Sequence, residues 1–195
     1  MKKGQVYEAI VEKTSFPNKG IVTIEDRQII VKNALEGQKI SCSITKLRRD
    51  GGQARLLDVV EKAPMEDGTP MCSHFGACGG CAYQTMSYEN QLKFKEKQVK
   101  ELIDNAVSNS SYIFDNKEDD KQVEYNYHGI NPSPSYKEYR NKMEFSFGDE
   151  VKDGPLALGL HKINSMYDIV SIPGSPVHGT FQARVLEWGA IAFSD

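Results

Sequence analysis

Three of the chain's four cysteines fall in the stretch "MCSHFGACGGCAYQ", residues 71–84, where Cys72, Cys78 and Cys81 are separated by five and then two residues. Thiolates so spaced can converge on one soft centre, and Gly76, Gly79 and Gly80 give the backbone the freedom to wrap it. An iron–sulfur cluster is the expected occupant. Three other readings stay open: zinc with His74 as fourth ligand, a thiol–disulfide pair at Cys78 and Cys81, and thiols with no ligand at all. Zinc lacks a second paired ligand set after Cys72 and His74, and the redox pair lacks a convincing preceding strand. A cubane cluster wants four protein ligands and this segment offers three, so a fourth must come from far along the chain. Cys42 is not a candidate. It alternates with Ile40 and Ile44 against Ser41, Ser43 and Thr45, the period-two pattern of a strand with one buried face.

A second set of residues could meet phosphate. Lys46, Arg48 and Arg49 close the fourth strand-like run, and Arg140 and Lys142 stand in "YRNKMEF". Contacts of this kind give affinity and salt dependence without base specificity. Tyr139 could stack on an unpaired base, whereas Phe145 is expected in the core, and His161 reads as a local hydrogen-bonding residue. The formal charge of −3 excludes a uniformly basic nucleic-acid coat, yet residues 1–64 carry 12 Lys/Arg against 8 Asp/Glu and the remainder 12 against 19. A polyanion is therefore expected at the first third or at a local patch.

These residues need elements to hold them. Five strand-like runs, "QVYEAIVEK", "GIVTIE", "RQIIVKN", "QKISCSITKL" and "ARLLDVVEK", fill residues 5–62, with turns expected at Glu25-Asp26, Glu36-Gly37 and Asp50-Gly51-Gly52. Their number and length predict a small five-stranded barrel of the oligonucleotide-binding type. "APMEDGTPM" breaks every periodicity and reads as a linker. Ser87 is placed to cap a helix over 88–107 that packs along Leu92, Val99, Ile103 and Ala106 and leaves Lys93, Lys95, Lys97 and Lys100 in water. Residues 108–138 are loop-like. "KMEFSFGDE", "LALGLHK" and "YDIVSI" follow as strands of a second sheet, with a turn at Asp153-Gly154.

The fold class is thus mostly β with α: the barrel, then an α+β central domain. A composition of 39% hydrophobic and 26% charged residues suits a soluble globular protein. There is no apolar run of the roughly 20 residues a membrane helix needs, and no apolar block follows the basic start as in a signal peptide. The expected protein is a cytoplasmic monomer without a membrane partner, in a compartment where thiols stay reduced.

The barrel, "CSHFGACGGCAYQTMSYENQLKFKEKQVKELI", "YRNKMEFSF" and "LALGLHKINSMYDIV" together resemble the first half of the bacterial RNA uracil-5-methyltransferases that modify 23S ribosomal RNA or transfer RNA. On this resemblance residues 1–63 are a TRAM domain, 64–171 a central iron–sulfur domain that contacts RNA, and 172–195 a tail outside the family pattern. The resemblance implies structured RNA, 23S rRNA first, as partner, and a [4Fe–4S] cluster on Cys72, Cys78 and Cys81 that braces the central domain without entering methyl transfer. The family's fourth ligand is a cysteine a few residues after a "DIV" strand; Ser175 stands at that position here.

The family continues into a Rossmann-like domain that binds S-adenosylmethionine and supplies a cysteine nucleophile. No cysteine follows Cys81, and no glycine-rich loop follows a strand in "HGTFQARVLEWGAIAFSD". The catalytic domain is expected to be absent, no catalytic residue is assigned, and the chain alone is expected to be inactive. "PGSPVHGTFQARVLEWGAIAFSD" is instead similar to a translated ruminant repetitive element; the plainer alternative is a diverged helical end packed through Phe181, Val185, Leu186 and Trp188. Two other functions remain open, a standalone RNA-binding module and a zinc-stabilised interaction domain.

Overall fold

The structure is a computed structural model, which describes residues 1–110, 125–137, 139, 144–163, 165 and 167–172. Two compact units emerge: Met1–Asp67 with Glu89–Asn131, and Gly68–Tyr88 with Pro132–Asp195.

The first unit contains six strands, β1 (Val6–Ile10), β2 (Lys13–Ser15), β3 (Lys19–Ile24), β4 (Arg27–Lys32), β5 (Lys39–Arg48) and β6 (Gly51–Glu61), in the order β1-β5-β6-β4-β3-β2. All pairs are antiparallel except β4 with β6. The expected five-stranded barrel is thereby corrected to a six-stranded mixed sheet curled into an open half-barrel. The extra strand arises because "QVYEAIVEK" does not run straight. The Val11 N–H donates to the Gln38 carbonyl, continuing the ladder with β5, while the next N–H, that of Glu12, donates to the Ile21 carbonyl on β3. One run thus serves both edges of the sheet, and the bend between them draws the sheet into a curl.

Sequence chemistry accounts for much of the rest. Ile24 pairs with Arg27, leaving Glu25 and Asp26 as a two-residue loop with φ of 47° and 61°, the backbone of the hairpin turn whose twist matches its strands. Gly51 and Gly52 were expected in a turn but lie in β6, opposite Arg48 and Leu47, and the loop is Arg49-Asp50. Their lack of a side chain serves close approach instead: a Cβ on Gly52 would sit 2.6 Å from the Lys46 carbonyl oxygen and one on Gly51 2.6 Å from that of Gln28. Ile40, Cys42 and Ile44 point inward as their alternation requires and join Val11, Val22, Ile29, Val31 and Ala34 in one aliphatic core. Each such side chain, fully buried, contributes about 1.5–3 kcal/mol of transfer free energy.

The helix α1 (Tyr88–Ser110) runs slightly past its expected end. Its buried face differs from the expected stripe. Phe94 and Gln98, one turn apart, are 4% and 5% exposed, whereas Val99 is 41% exposed and Ala106 is also exposed. Gln98 Nε2 donates to the Thr14 carbonyl on β2 at 3.3 Å, so a polar residue occupies the seam beside a large aromatic anchor. Lys97 meets Glu36, Lys13 meets Glu101, and Lys93 and Lys100 pair with Glu89 and Asp104 on the helix surface. Lys93, Lys95, Lys97 and Lys100 are all exposed, as expected.

The second unit is built on a three-stranded antiparallel sheet, β7 (Ser146–Asp149), β8 (Leu156–His161) and β9 (Ile169–Val170), in sequential order. The β7–β8 connection turns at Asp153-Gly154, with φ 61° at Asp153 and its N–H donated to the Asp149 carboxylate. Among the described residues Cys78 and Ile172 form one buried cluster, flanked by partly buried Phe145, Leu158, Leu160 and Val170, and Ile169 and Met86 are buried as well. Phe145 packs against this cluster only partly buried, where its sequence context had suggested a core residue. Among the described residues there is no Rossmann-type parallel sheet, and no helix is long and apolar enough to cross a membrane.

Candidate functional site

The cysteine segment has no regular secondary structure; tight turns and the second sheet hold it. The Phe75 N–H donates to the Cys72 carbonyl, and the N–H groups of Ala77 and Cys78 share that of His74. Two further bonds fasten it to the strand end: the Gly79 N–H donates to the His161 carbonyl at 3.0 Å, and the Ile163 N–H to that of Ala77 at 2.8 Å. The glycines at this spacing have two different tasks. Gly76 has a φ of 89° with nothing near its missing side chain, so its conformation is the reason for glycine. A Cβ on Gly79 would lie 3.1 Å from the His161 carbonyl oxygen, and one on Gly80 3.1 Å from Leu160 Cδ1, so these two allow close approach to β8.

Cys72, Cys78 and Cys81 line one small pocket together with His74, Phe75, Gly80, Gln84 and Ile172. Sequence spacing thus brings the three predicted thiols to one place, and it brings His74 there too. Among the described residues no group of three or more His, Cys, Asp or Glu is drawn tightly enough to grip an ion. The thiols surround the pocket without closing on its centre. Cys78 is buried, and burial pushes its thiol pKa up; the charge of Cys81 and Cys72 pushes the same way, while the Gly80 N–H, 3.3 Å from Sγ, opposes it. Three thiolates in this space would repel one another unless a cationic centre offset them. Gln84 closes the wall: its Oε1 accepts the Cys72 N–H at 3.1 Å, while its Nε2 is buried without a hydrogen-bond partner among the described residues.

Three thiols and the His74 imidazole beside an unmet N–H donor form a soft donor set, whose chemistry suits a thiolate-held inorganic group, an iron–sulfur cluster or zinc. Ser175 lies outside the described residues. Cys42 is wholly buried in the first unit's core and takes no part.

Lys46, Arg48 and Arg49 are exposed around the β5–β6 hairpin and have no ion-pair partner among the described residues. Gln28 pairs with Gly51, so the parallel ladder also sets Arg27 beside this hairpin, a neighbour the sequence did not suggest. Arg140 and Lys142 lie outside the described residues; Tyr139, just before them, is 59% exposed. His161 has a local role, its Nε2 3.1 Å from the Ser146 hydroxyl and its carbonyl holding Gly79. An aromatic pair went unnoticed in the sequence: Tyr88 stacks on Tyr136 with centroids 5.1 Å apart at 17°, and Lys137 Nζ stands 5.5 Å from the Tyr136 ring. Nothing in the spacing of residues so far apart in the chain announces such a stack.

No protein-family model matches the chain. It is homologous to proteins described as uncharacterized RNA methyltransferases. It is 39% identical over 171 residues to one from Clostridium acetobutylicum, covering 88% of this chain and 34% of the relative. A second, from Caldanaerobacter subterraneus subsp. tengcongensis, is 36% identical over 170 residues and again covered for 34% of its length. The chain therefore spans about a third of the curated relatives it matches. More particularly, its fold is similar to that of Pyrococcus abyssi tRNA (uracil-54, C5)-methyltransferase, solved with S-adenosyl-L-homocysteine: TM-score 0.57, 20% identity, covering 94% of this chain and 36% of that one.

Proposed function

We propose that this chain is the RNA-binding, [4Fe–4S]-bearing portion of an S-adenosylmethionine-dependent RNA (uracil-C5-)-methyltransferase, with 23S ribosomal RNA as its target. The observation that carries the reading is the meeting of Cys72, Cys78 and Cys81 in one pocket, within a chain homologous along most of its length to RNA methyltransferases. Cys72, Cys78 and Cys81 are the cluster ligands, with Ser175 at the fourth position. When bound, the cluster supplies a cross-link, and the protein residues do the rest. Gly76, Gly79 and Gly80 shape the loop, and the His161 and Ala77 carbonyls tie it to the sheet edge. The domain division at 63/64 and 171/172 belongs to the same proposal.

RNA is held by charge at Lys46, Arg48 and Arg49, with Arg140 and Lys142 as a second group. In this reading these residues contribute RNA binding, and no catalytic residue is assigned among them. The test is a salt-dependent binding measurement on fragments of 23S rRNA. The triple variant Lys46→Ala, Arg48→Ala, Arg49→Ala should weaken binding across sequences and reduce the salt slope by about 1 for each phosphate that is no longer neutralised. An unchanged slope would remove these residues from the interface, and a wild-type chain without affinity for structured RNA would overturn the reading. A second reading has its own observation. His74 shares the pocket with the three thiols, and Cys3His is a zinc-type set; bound zinc without sulfide would establish it.

A further inference from the structure

Gln84 is not one of the expected ligands, yet one end of its side chain is tied to the cysteine loop and the other end has nothing to bind. The two ends can be told apart. The Cys72 N–H is a donor, so the atom it meets at 3.1 Å must be the Gln84 oxygen. The amino group is then the free end, buried and unpartnered among the described residues. An unmet buried donor is destabilising and rare in native proteins, so it calls for a missing acceptor.

The wall that Gln84 shares offers three sulfurs. As thiols they are weak acceptors; as thiolates or cluster sulfides they carry charge, and an N–H directed at them is a charge-assisted bond. Cys78 already receives one such bond, from the Gly80 backbone at 3.3 Å. We propose that Gln84 is a positioning residue for the thiolate-held centre: its Oε1 fixes the Cys72 peptide while its Nε2 donates an N–H···S hydrogen bond to a sulfur in the pocket. This rests on the cluster reading above and assigns a further residue to it. Hydrogen bonds to sulfur are among the protein's means of tuning and retaining an iron–sulfur group. A single side chain thereby sets both the direction of one ligand and the polarity around the sulfurs.

The test uses the full 195-residue chain, purified without oxygen and carrying glutamine labelled with 15N in its side-chain amide. Iron and sulfide content come first. A wild-type chain without either overturns the cluster reading and this inference with it. In loaded, reduced protein, pulsed paramagnetic resonance should show a 15N coupling from a glutamine side chain, and Gln84 is the glutamine on the pocket wall. Gln84→Glu keeps the acceptor for Cys72 and removes the donor. It should abolish the coupling and speed iron release to a chelator about 10-fold, the lower end for loss of an outer-shell partner. Gln84→Leu, which lacks both groups, should release iron faster still. Loaded wild-type protein without a glutamine coupling would overturn the inference and leave the cluster reading standing; that measurement decides the matter whether or not the variants load.

Discussion

The two units solve the same problem with different materials. The first closes a continuous aliphatic core, from Val11 and Val22 through Ile29 and Ile40 to Ile44, and among its described residues every buried side-chain polar atom has a partner. Gln38 shows how: its Oε1 accepts the Leu35 N–H and its Nε2 donates to Glu66, whose carboxylate also accepts the Ala63 N–H. The second unit has, among the described residues, a buried cluster of Cys78 and Ile172, three thiols around a pocket and an amide donor without a partner. The lesson is energetic. The first unit is stabilised by transfer of apolar surface, while in the proposed reading the second relies on an inorganic cross-link, whose binding free energy would be folding free energy.

The contrast breaks most visibly at the ligands. Cys78→Ser should abolish metal binding and loosen the second unit, read as lost iron and as lost amide-exchange protection around β8 and β9, with protection across β5 and β6 unchanged. Next comes the aliphatic core. Ile29→Ala removes a side chain with no solvent exposure and should cost about 2–5 kcal/mol in denaturant unfolding of the first unit, leaving iron content as in the wild type.

A smaller effect is expected at the helix seam. Gln98→Ala deprives the Thr14 carbonyl of its donor and should cost about 1–3 kcal/mol, with faster amide exchange in α1. The smallest belongs to the surface. Lys93→Ala breaks an exposed i,i+4 pair with Glu89 and should leave the denaturant midpoint almost unmoved, with any difference erased by added salt.

Local chemistry was the legible part of this protein. Ile40, Cys42 and Ile44 announce a half-buried strand because side chains alternate across a sheet, and Glu25-Asp26 and Asp153-Gly154 stand where short polar residues or glycine permit a tight turn. The cysteine spacing likewise announces a shared pocket. The bend at Val11 and Glu12 was not legible, because it depends on which strand each N–H meets, and those partners, Gln38 and Ile21, lie elsewhere in the chain. The parallel pairing of β4 with β6 is hidden for the same reason. On α1 the apolar pattern favoured Val99, yet Phe94 and Gln98 are buried, since a glutamine can enter a seam when a backbone carbonyl waits for it. Gln84 follows three residues after Cys81, and its polarity so near the motif was the one available hint; its unmet donor is visible only in three dimensions.

The central claim is that the second unit is organised around a thiolate-held cluster. Its most direct test is the iron, acid-labile sulfide and zinc content of the chain, with a visible spectrum, on protein purified without oxygen. The account predicts about four iron and four sulfide per chain and broad absorption in the visible. Stoichiometric zinc without sulfide, or a second unit that is fully protected from exchange with no metal bound, would contradict it.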